Sequence, residues 1–351
     1  MKAAVITKPF EVKIIDTEIP SIKDDEALVK VIYAGICGTD IDIYKDEAHF
    51  QVKYPHIAGH EWSGIIESVG KNVKYLKPGD RVVGDGLVSC NICNFCVYGD
   101  YSHCPNAKSV GTSEPSVDGA FREYTVLPER HLFKIPEGVK LIDAVFAEPA
   151  GVAARSLEQA NAKPGQTVLV YGTGAIGFIA VQYARLLGAR MVILAGRNDK
   201  KLKVGSNYSF ADHTVNVRTQ ELKKELGRIL NGGQVDIVVE ASGNIQALKE
   251  ALEIAGRFGK VTIPGSYHES LTEIDISIFP SKELGWIFIN GIGGAEMFYK
   301  ILNLMETGRL NTNGLISDVY SLEEFSLAMK SKLASSDSIK TIIKVDSGFK
   351  E

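Results

Sequence analysis

The sequence predicts a mixed two-domain protein, one domain rich in short β-strands and the other built from alternating strands and helices. Three observations lead there. At 351 residues the chain exceeds what one ordinary core organises. Before Pro149 it reads as short apolar runs punctuated by proline and glycine, whereas beyond Lys163 strand-like and helix-like segments take turns. The first strand-to-helix junction of that second region is a glycine loop, Gly172-Thr173-Gly174-Ala175-Ile176-Gly177.

In the first region, residues 3–6, 27–33, 64–69, 81–84 and 121–126 alternate as strands do, which suits a small irregular barrel or paired sheets. Pro78-Gly79-Asp80 predicts a turn, since proline fixes one backbone angle and glycine relaxes the next. Small apolar residues after Glu148-Pro149-Ala150 predict a helix that stops before Lys163-Pro164-Gly165. The second region then reads as a strand at 167–171, a helix at 175–187, and strands at 191–195, 234–240, 260–264 and 286–290, followed by a helix at 297–306. Residues 338–345 again read as a strand and return to the first domain. The expected boundaries are 1–150 with 291–351 for the β-rich domain and 151–290 for the α/β domain.

Lys and Arg total 39 against 43 Asp and Glu, a formal charge of -4, so no basic reservoir for a polyanion exists and nucleic acid is not an expected partner. The apolar stretches near 168–181 and 286–292 are broken by glycine or fall short of the roughly 20 residues that span a bilayer. Met1 to Ile6 runs directly into a strand pattern, with no secretory series. A cytoplasmic protein without a membrane partner is expected. Cysteine usage agrees, because four of the five cysteines crowd into one segment whose spacing suits a metal better than disulfides.

In the glycine loop, Gly172 permits the tight exit from the strand, Gly174 lets a pyrophosphate approach the backbone, and Gly177 permits close helix packing. The N–H groups of the helix start, at Ala175 and Ile176, face the anion. Three glycines can also ease a turn and nothing more, but here strand, helix and next strand keep the separations of a dinucleotide fold. Where a site for NAD places an acid at the end of the second strand, this chain has Gly196 followed by Arg197. The missing acid removes repulsion against a 2′-phosphate and Arg197 can add charge-assisted hydrogen bonds, so NADP is favoured over NAD. A solvated Arg197 and a pocket that accepts NAD is the alternative.

Cys90-x2-Cys93-x2-Cys96-x7-Cys104 supplies four soft ligands that can wrap one tetrahedral zinc and organise a lobe with little apolar material of its own. An iron centre or four free cysteines are the other readings. Cys37, followed by Gly38-Thr39-Asp40, stands apart from this group, and Gly59-His60-Glu61 comes later. Folding can join Cys37, His60 and a carboxylate as three ligands with a fourth position open.

Taken together these segments resemble the medium-chain zinc-dependent dehydrogenase family, in its alcohol and sorbitol (polyol) dehydrogenase branch. The resemblance covers nearly the whole chain, from Cys37-Gly38-Thr39-Asp40 and Gly59-His60-Glu61, with Gly64 and Gly70, through Pro78-Gly79-Asp80-Arg81-Val82, the cysteine lobe and Ala147-Glu148-Pro149 to the glycine loop. It implies a GroES-like β-rich catalytic domain made from both ends of the chain, a Rossmann domain between them, two zinc ions per subunit, and a homodimer or homotetramer formed through the edges of the nucleotide domains. Cys37, His60 and Glu61 then match the catalytic metal ligands, and Glu148 sits where the polyol branch has an acid that ligates directly or through water. Asp40 matches the acid that orients His60, Thr39 the hydroxyl that contacts the substrate oxygen and begins proton transfer, and Lys340 a basic residue that reaches for the cofactor pyrophosphate. The relay histidine usual in the family is replaced by Asp42, which leaves proton exit to Asp42, a ribose hydroxyl or water.

The reaction implied is reversible oxidation of a secondary hydroxyl of a polyol or sugar-alcohol phosphate to a ketone, with hydride passing to NAD(P). On the substrate side the chain departs from sorbitol dehydrogenases, having Gly291-Ile292-Gly293-Gly294 where they carry an arginine-aromatic pair. Butanediol, secondary-alcohol and threonine dehydrogenation stay open. A zinc-less quinone-reductase-like enzyme and a nonenzymatic dinucleotide sensor are the competing classes.

Overall fold

A computed structural model describes residues 1–267 and 274–350, and these form two compact units. The first comprises Met1–Glu148, Gly291–Gly308 and Ile316–Glu351; the second comprises Pro149–Asn290 and Arg309–Leu315. The short stretch Arg309–Leu315, expected in the β-rich domain, lies in the α/β unit. There Asn311 exchanges hydrogen bonds with the buried side chain of Gln182, its N–H donating to Oε1 at 2.9 Å and its carbonyl accepting from Nε2 at 3.0 Å. Among the described residues no helix is long and apolar enough to cross a membrane.

The first unit is organised by the strand Glu26–Ile36, whose residues from Val31 to Ile36 are almost all fully buried. Its sheet runs in the order Leu132–Lys134, Arg81–Gly84, Glu61–Val69, Glu26–Ile36, Lys340–Lys344, Ile316–Ser321, and Tyr124–Pro128 also pairs with the central strand. Trp62, Phe121 and Phe325 fill the core, the last two rings 4.5 Å apart. Gly84 is required by this packing, since a Cβ there would lie 2.0 Å from the Trp62 ring. The expected strand at 121–126 sits instead at Tyr124–Pro128, because Ala4 N donates to the Phe121 carbonyl and the Phe121 ring goes to the core. The returning helix Ala295–Glu306 stacks Phe298 on Phe133 with centroids 4.3 Å apart.

Register decides what meets at the end of the central strand. Gly35 pairs with Glu61 on one side, and Ile36 pairs with Thr341 on the other. Cys37, next along the chain, then starts the helix Gly38–Lys45. A cysteine, a carboxylate and Lys340 thereby converge from segments far apart in sequence.

The second unit is a parallel sheet in the order His213–Asn216, Met191–Gly196, Thr167–Tyr171, Val235–Glu240, Ala255–Ile263, Gly285–Phe288. Numbered along the chain this is 3-2-1-4-5-6, the doubly wound order that opens a crevice where the first and fourth strands diverge. The central strands are largely apolar and buried, as strands covered on both faces are, with polar residues such as Thr167, Asp236 and Glu240 near their ends. The helix Ala175–Leu186 follows the first strand directly.

Candidate active site

Two clusters among the described residues can hold a metal ion, and both lie in the first unit. In the first, ligand atoms of Cys37, His60 and Glu61 all lie within 4.8 Å of one another. Cys37 is half-buried at the helix start, His60 is 8% exposed and Glu61 1% exposed. A thiol, an imidazole and a carboxylate held this way, with His60 Nδ1 buried and lacking a hydrogen-bond partner, are a donor set suited to zinc. Burial by itself would lower the His60 pKa, but the neighbouring Cys37, with Asp40 and Glu148, raises it well above the ordinary value. A cation in the cluster would relieve that crowding of negative groups.

Glu148 lies outside the trio, at the start of the helix Ala147–Gln159. Its carboxyl is pushed up to about 7 by burial, assisted by the charges of Glu61 and Asp85 and opposed by His60. A Cβ on Gly86 would lie 3.9 Å from Glu148 Oε1 and 3.6 Å from His60 Cβ, so Asp85-Gly86 forms a wall of this site. Nothing in the spacing of the chain points to that turn.

Asp40 is fully buried. Its carboxylate accepts from Cys37 N at 2.7 Å and from Gly59 N at 3.2 Å, while Oδ1 stands 3.8 Å from His60 Nδ1, beyond hydrogen-bond length. Asp40 therefore ties together the two backbone segments that carry the ligands and adds a negative charge beside His60. Asn at position 40 would turn a donor toward one of those N–H groups. We expect Asp40→Asn to weaken metal retention and kcat by about 10- to 100-fold while some metal still binds; metal titration with steady-state kinetics checks this, and unchanged values for both would remove the role.

Lys340 is held inside the first unit. It is 4% exposed, its ammonium forms an ion pair with the Glu61 carboxylate, and it lies 3.4 Å from the Ile36 carbonyl. The strand register puts it there, and Gly35 makes the room: a Cβ at 35 would lie 2.7 Å from Glu61 Oε2 and 3.4 Å from Lys340 Cδ. Burial would lower the Lys340 pKa, but Glu61 and the other negative groups raise it. Thr39 Oγ1 lies 3.8 Å from Cys37 Sγ, and Asp42 is half-buried on the same short helix.

The second cluster joins Cys90, Cys93, Cys96 and Cys104, all without disulfides. Cys93 and Cys96 sulfurs are 3.4 Å apart, Cys90 and Cys96 4.0 Å, and Cys90 N donates to Cys104 Sγ at 3.3 Å. Tetrahedral Zn–S bonds of about 2.3 Å require sulfurs about 3.8 Å apart, so the four fit one zinc and fill its coordination. Backbone N–H groups of Ile92 and Cys93 hold the Cys90 thiol down to about 6, which favours the ligating thiolate.

The dinucleotide cradle lies in the second unit. Gly172 has φ 125°, and a Cβ there would meet the Ala241 backbone at 2.7 Å. At Gly177 a Cβ would lie 2.0 Å from the Gly172 carbonyl, whereas nothing lies within 4 Å of one built on Gly174. Two glycines are thus demanded by packing, and the third leaves the helix start, with Ala175 and Ile176, open to a phosphate. Arg197 is exposed beyond Gly196, and Asn198 caps the following helix through Lys201 N at 3.2 Å. The turn after Val235–Glu240 is held by the buried Glu240 carboxylate, which accepts from Ser242 N at 2.9 Å and from the hydroxyls of Ser242 and Tyr267.

Comparison with known proteins places this geometry in context. Residues 23–137 match the alcohol dehydrogenase GroES-like domain and residues 175–307 the zinc-binding dehydrogenase family. The chain is 33% identical over 336 residues to the sorbitol dehydrogenase of Bacillus subtilis (strain 168), covering 95% of this chain and 94% of that one. A zinc-binding dehydrogenase type of chain from Sinorhizobium meliloti 1021, solved bound to NADP, superposes with a TM-score of 0.90 at 29% identity over 98% and 99% of the two chains. Galactitol-1-phosphate dehydrogenase from Escherichia coli superposes with a TM-score of 0.89 at 29% identity, over 98% and 100%.

Proposed function

Since the chain belongs to the medium-chain, zinc-binding alcohol dehydrogenase family and is an NAD(P)-dependent dehydrogenase, we propose that it oxidises a secondary hydroxyl of a polyol or sugar-alcohol phosphate to the ketone, reversibly. The observation that carries this reading is the convergence of Cys37, His60 and Glu61, with the acid Glu148 beside them, in a chain that also builds a dinucleotide cradle. Likeness to a sorbitol dehydrogenase and to a galactitol-1-phosphate dehydrogenase supports the substrate class.

In this reading Cys37, His60 and Glu61 hold one zinc and the four lobe cysteines another. The first zinc supplies Lewis acidity toward the substrate oxygen, and the nicotinamide supplies the hydride acceptor. The remaining work falls to side chains. Thr39 takes the proton of the substrate hydroxyl as its own proton leaves, with Asp42, a ribose hydroxyl or water as the exit. Lys340 holds Glu61 in place, and Glu148 lends a second carboxylate. The backbone of Gly174, Ala175 and Ile176 receives the pyrophosphate. A homodimer or homotetramer is the assembly this reading carries.

The cofactor preferred is NADP, because Gly196 offers no carboxylate to the ribose hydroxyls and Arg197 is exposed next to it. A charge-assisted hydrogen bond is worth about 1.5–3 kcal/mol, so Arg197→Ala should lower the NADP/NAD ratio of kcat/KM by roughly tenfold to a hundredfold. Introducing an acid at 196 is a poorer probe, since any Cβ there would lie 2.4 Å from Thr173 Cγ2. The deciding experiment is a paired screen of NAD and NADP, wild type against Arg197→Ala, with sorbitol, xylitol, arabitol, their monophosphates, butanediol and threonine. Turnover confined to threonine or butanediol would overturn the substrate class, and strong NAD preference untouched by Arg197→Ala would overturn the cofactor reading.

A further inference from the structure

The first unit contains a buried polar group that the reaction does not use. His131 is fully buried, and its ring stands between two segments that serve different metal clusters. On one side Nε2 accepts from Ser89 N at 3.2 Å and lies 3.4 Å from Ser89 Oγ. Ser89 immediately precedes Cys90, whose N–H donates to the Cys104 sulfur at 3.3 Å. Because Nε2 accepts, the ring proton sits on Nδ1. That nitrogen points at Asp85 Oδ2 from 3.5 Å without closing a hydrogen bond.

Asp85 is itself 2% exposed and held in place, its N–H donating to the His131 carbonyl at 3.0 Å and its Oδ1 accepting from Leu87 N at 3.1 Å. Gly86, its neighbour, abuts His60 and Glu148. A single imidazole therefore spans from the residue preceding a lobe ligand to the wall of the Cys37–His60–Glu61 site. The Nδ1 contact is its adjustable joint, since a small movement of either segment closes or opens it.

Resting on the two-metal reading above, we propose that His131 is a positioning residue that transmits the state of the cysteine lobe to the Cys37–His60–Glu61 site. With the lobe cluster assembled, Ser89 orients the ring and the ring fixes Asp85-Gly86 against His60. With the lobe disassembled, Ser89 is released, the ring loses its anchor, and the wall beside His60 is no longer set. An imidazole that merely filled space would give a different result from one that connects.

The test is a double-mutant cycle on the full-length protein with Co(II) as the probe, exchanged into the Cys37–His60–Glu61 site, zinc occupying the lobe in the variants that keep all four cysteines and the lobe being disassembled by Cys96→Ser in the others. Affinity for Co(II) and its visible absorption band are measured in wild type, Cys96→Ser, His131→Phe and the double variant. We expect Cys96→Ser to weaken Co(II) binding about tenfold and shift the band in the wild-type background, and to add less than about twofold once His131 is phenylalanine. Should His131→Phe fail to fold, His131→Asn replaces it, because its amide can still donate toward Asp85 but cannot reach Ser89; the same loss of coupling is expected. Equal effects of Cys96→Ser in both backgrounds would overturn the proposal. Wild-type protein that takes up no Co(II) at Cys37, His60 and Glu61, with the lobe zinc intact, overturns the site assignment itself and the proposal with it.

Discussion

Serine in place of Cys37 is expected to leave one metal ion per subunit, held in the lobe, and to lower kcat on the order of a thousandfold. The size follows from what is lost: Lewis-acid stabilisation is worth several kcal/mol, and each 1.4 kcal/mol or so is a factor of ten in rate. The fold should survive, because Cys37 is half-buried and stands at the start of the helix Gly38–Lys45, a position where serine is among the preferred caps. Its backbone N–H would still donate to Asp40. Elemental analysis of gel-filtered protein, a thermal melt and initial rates together check this. Full turnover with the lobe ion alone would end the assignment of Cys37, His60 and Glu61 to the chemistry.

Cys93→Ser should act in the opposite sense, on structure before rate. The lobe around it has a four-residue helix, Asn94–Val97, a single turn at Tyr101–His103 and strands of two or three residues, none of which persists alone. Between Cys90 and Cys104 the large apolar side chains face outward, Ile92 being 84% and Tyr98 87% exposed, so that segment has little core to replace the metal. Structural zinc contributes on the order of 10 kcal/mol to small cysteine domains, comparable with the whole stability of an ordinary domain. Proteolysis between Cys90 and Cys104 should accelerate at least about tenfold, as opening of the lobe becomes local and frequent. If cleavage in the variant matches the wild type with and without chelator, the lobe does not depend on a metal.

Features set by local chain geometry were readable before any coordinates. Gly172 and Gly177 carry their packing demand in the strand-loop-helix pattern, and the cysteine spacing carries the lobe. Features set by register were not. The approach of Lys340 to Ile36 spans 304 positions and depends on antiparallel pairing that no local pattern encodes. Resemblance assigned Lys340 to a pyrophosphate, and its ion pair with Glu61 was not legible in the sequence. For Asp40 the sequence placed the acid beside His60, but not its two bonds to the backbone of Cys37 and Gly59. The strand Ala255–Ile263 starts well before the apolar stretch expected at 260–264, and Gln234, bonding both the N–H and the carbonyl of Arg257, secures that polar beginning.

The glycine run at 291–294 is fitted closely against the lobe. Tyr101 N donates to the Gly293 carbonyl at 3.1 Å, Gly293 has φ 100°, and any Cβ on Gly294 would stand 2.6 Å from the Gly99 carbonyl. An arginine-aromatic pair cannot simply be grafted here, because the first side-chain carbon already collides with the lobe. Bulk added at position 294 therefore calls for room made at residues 99–101 in the same design, and altering one segment alone is expected to cost folding before it alters selectivity.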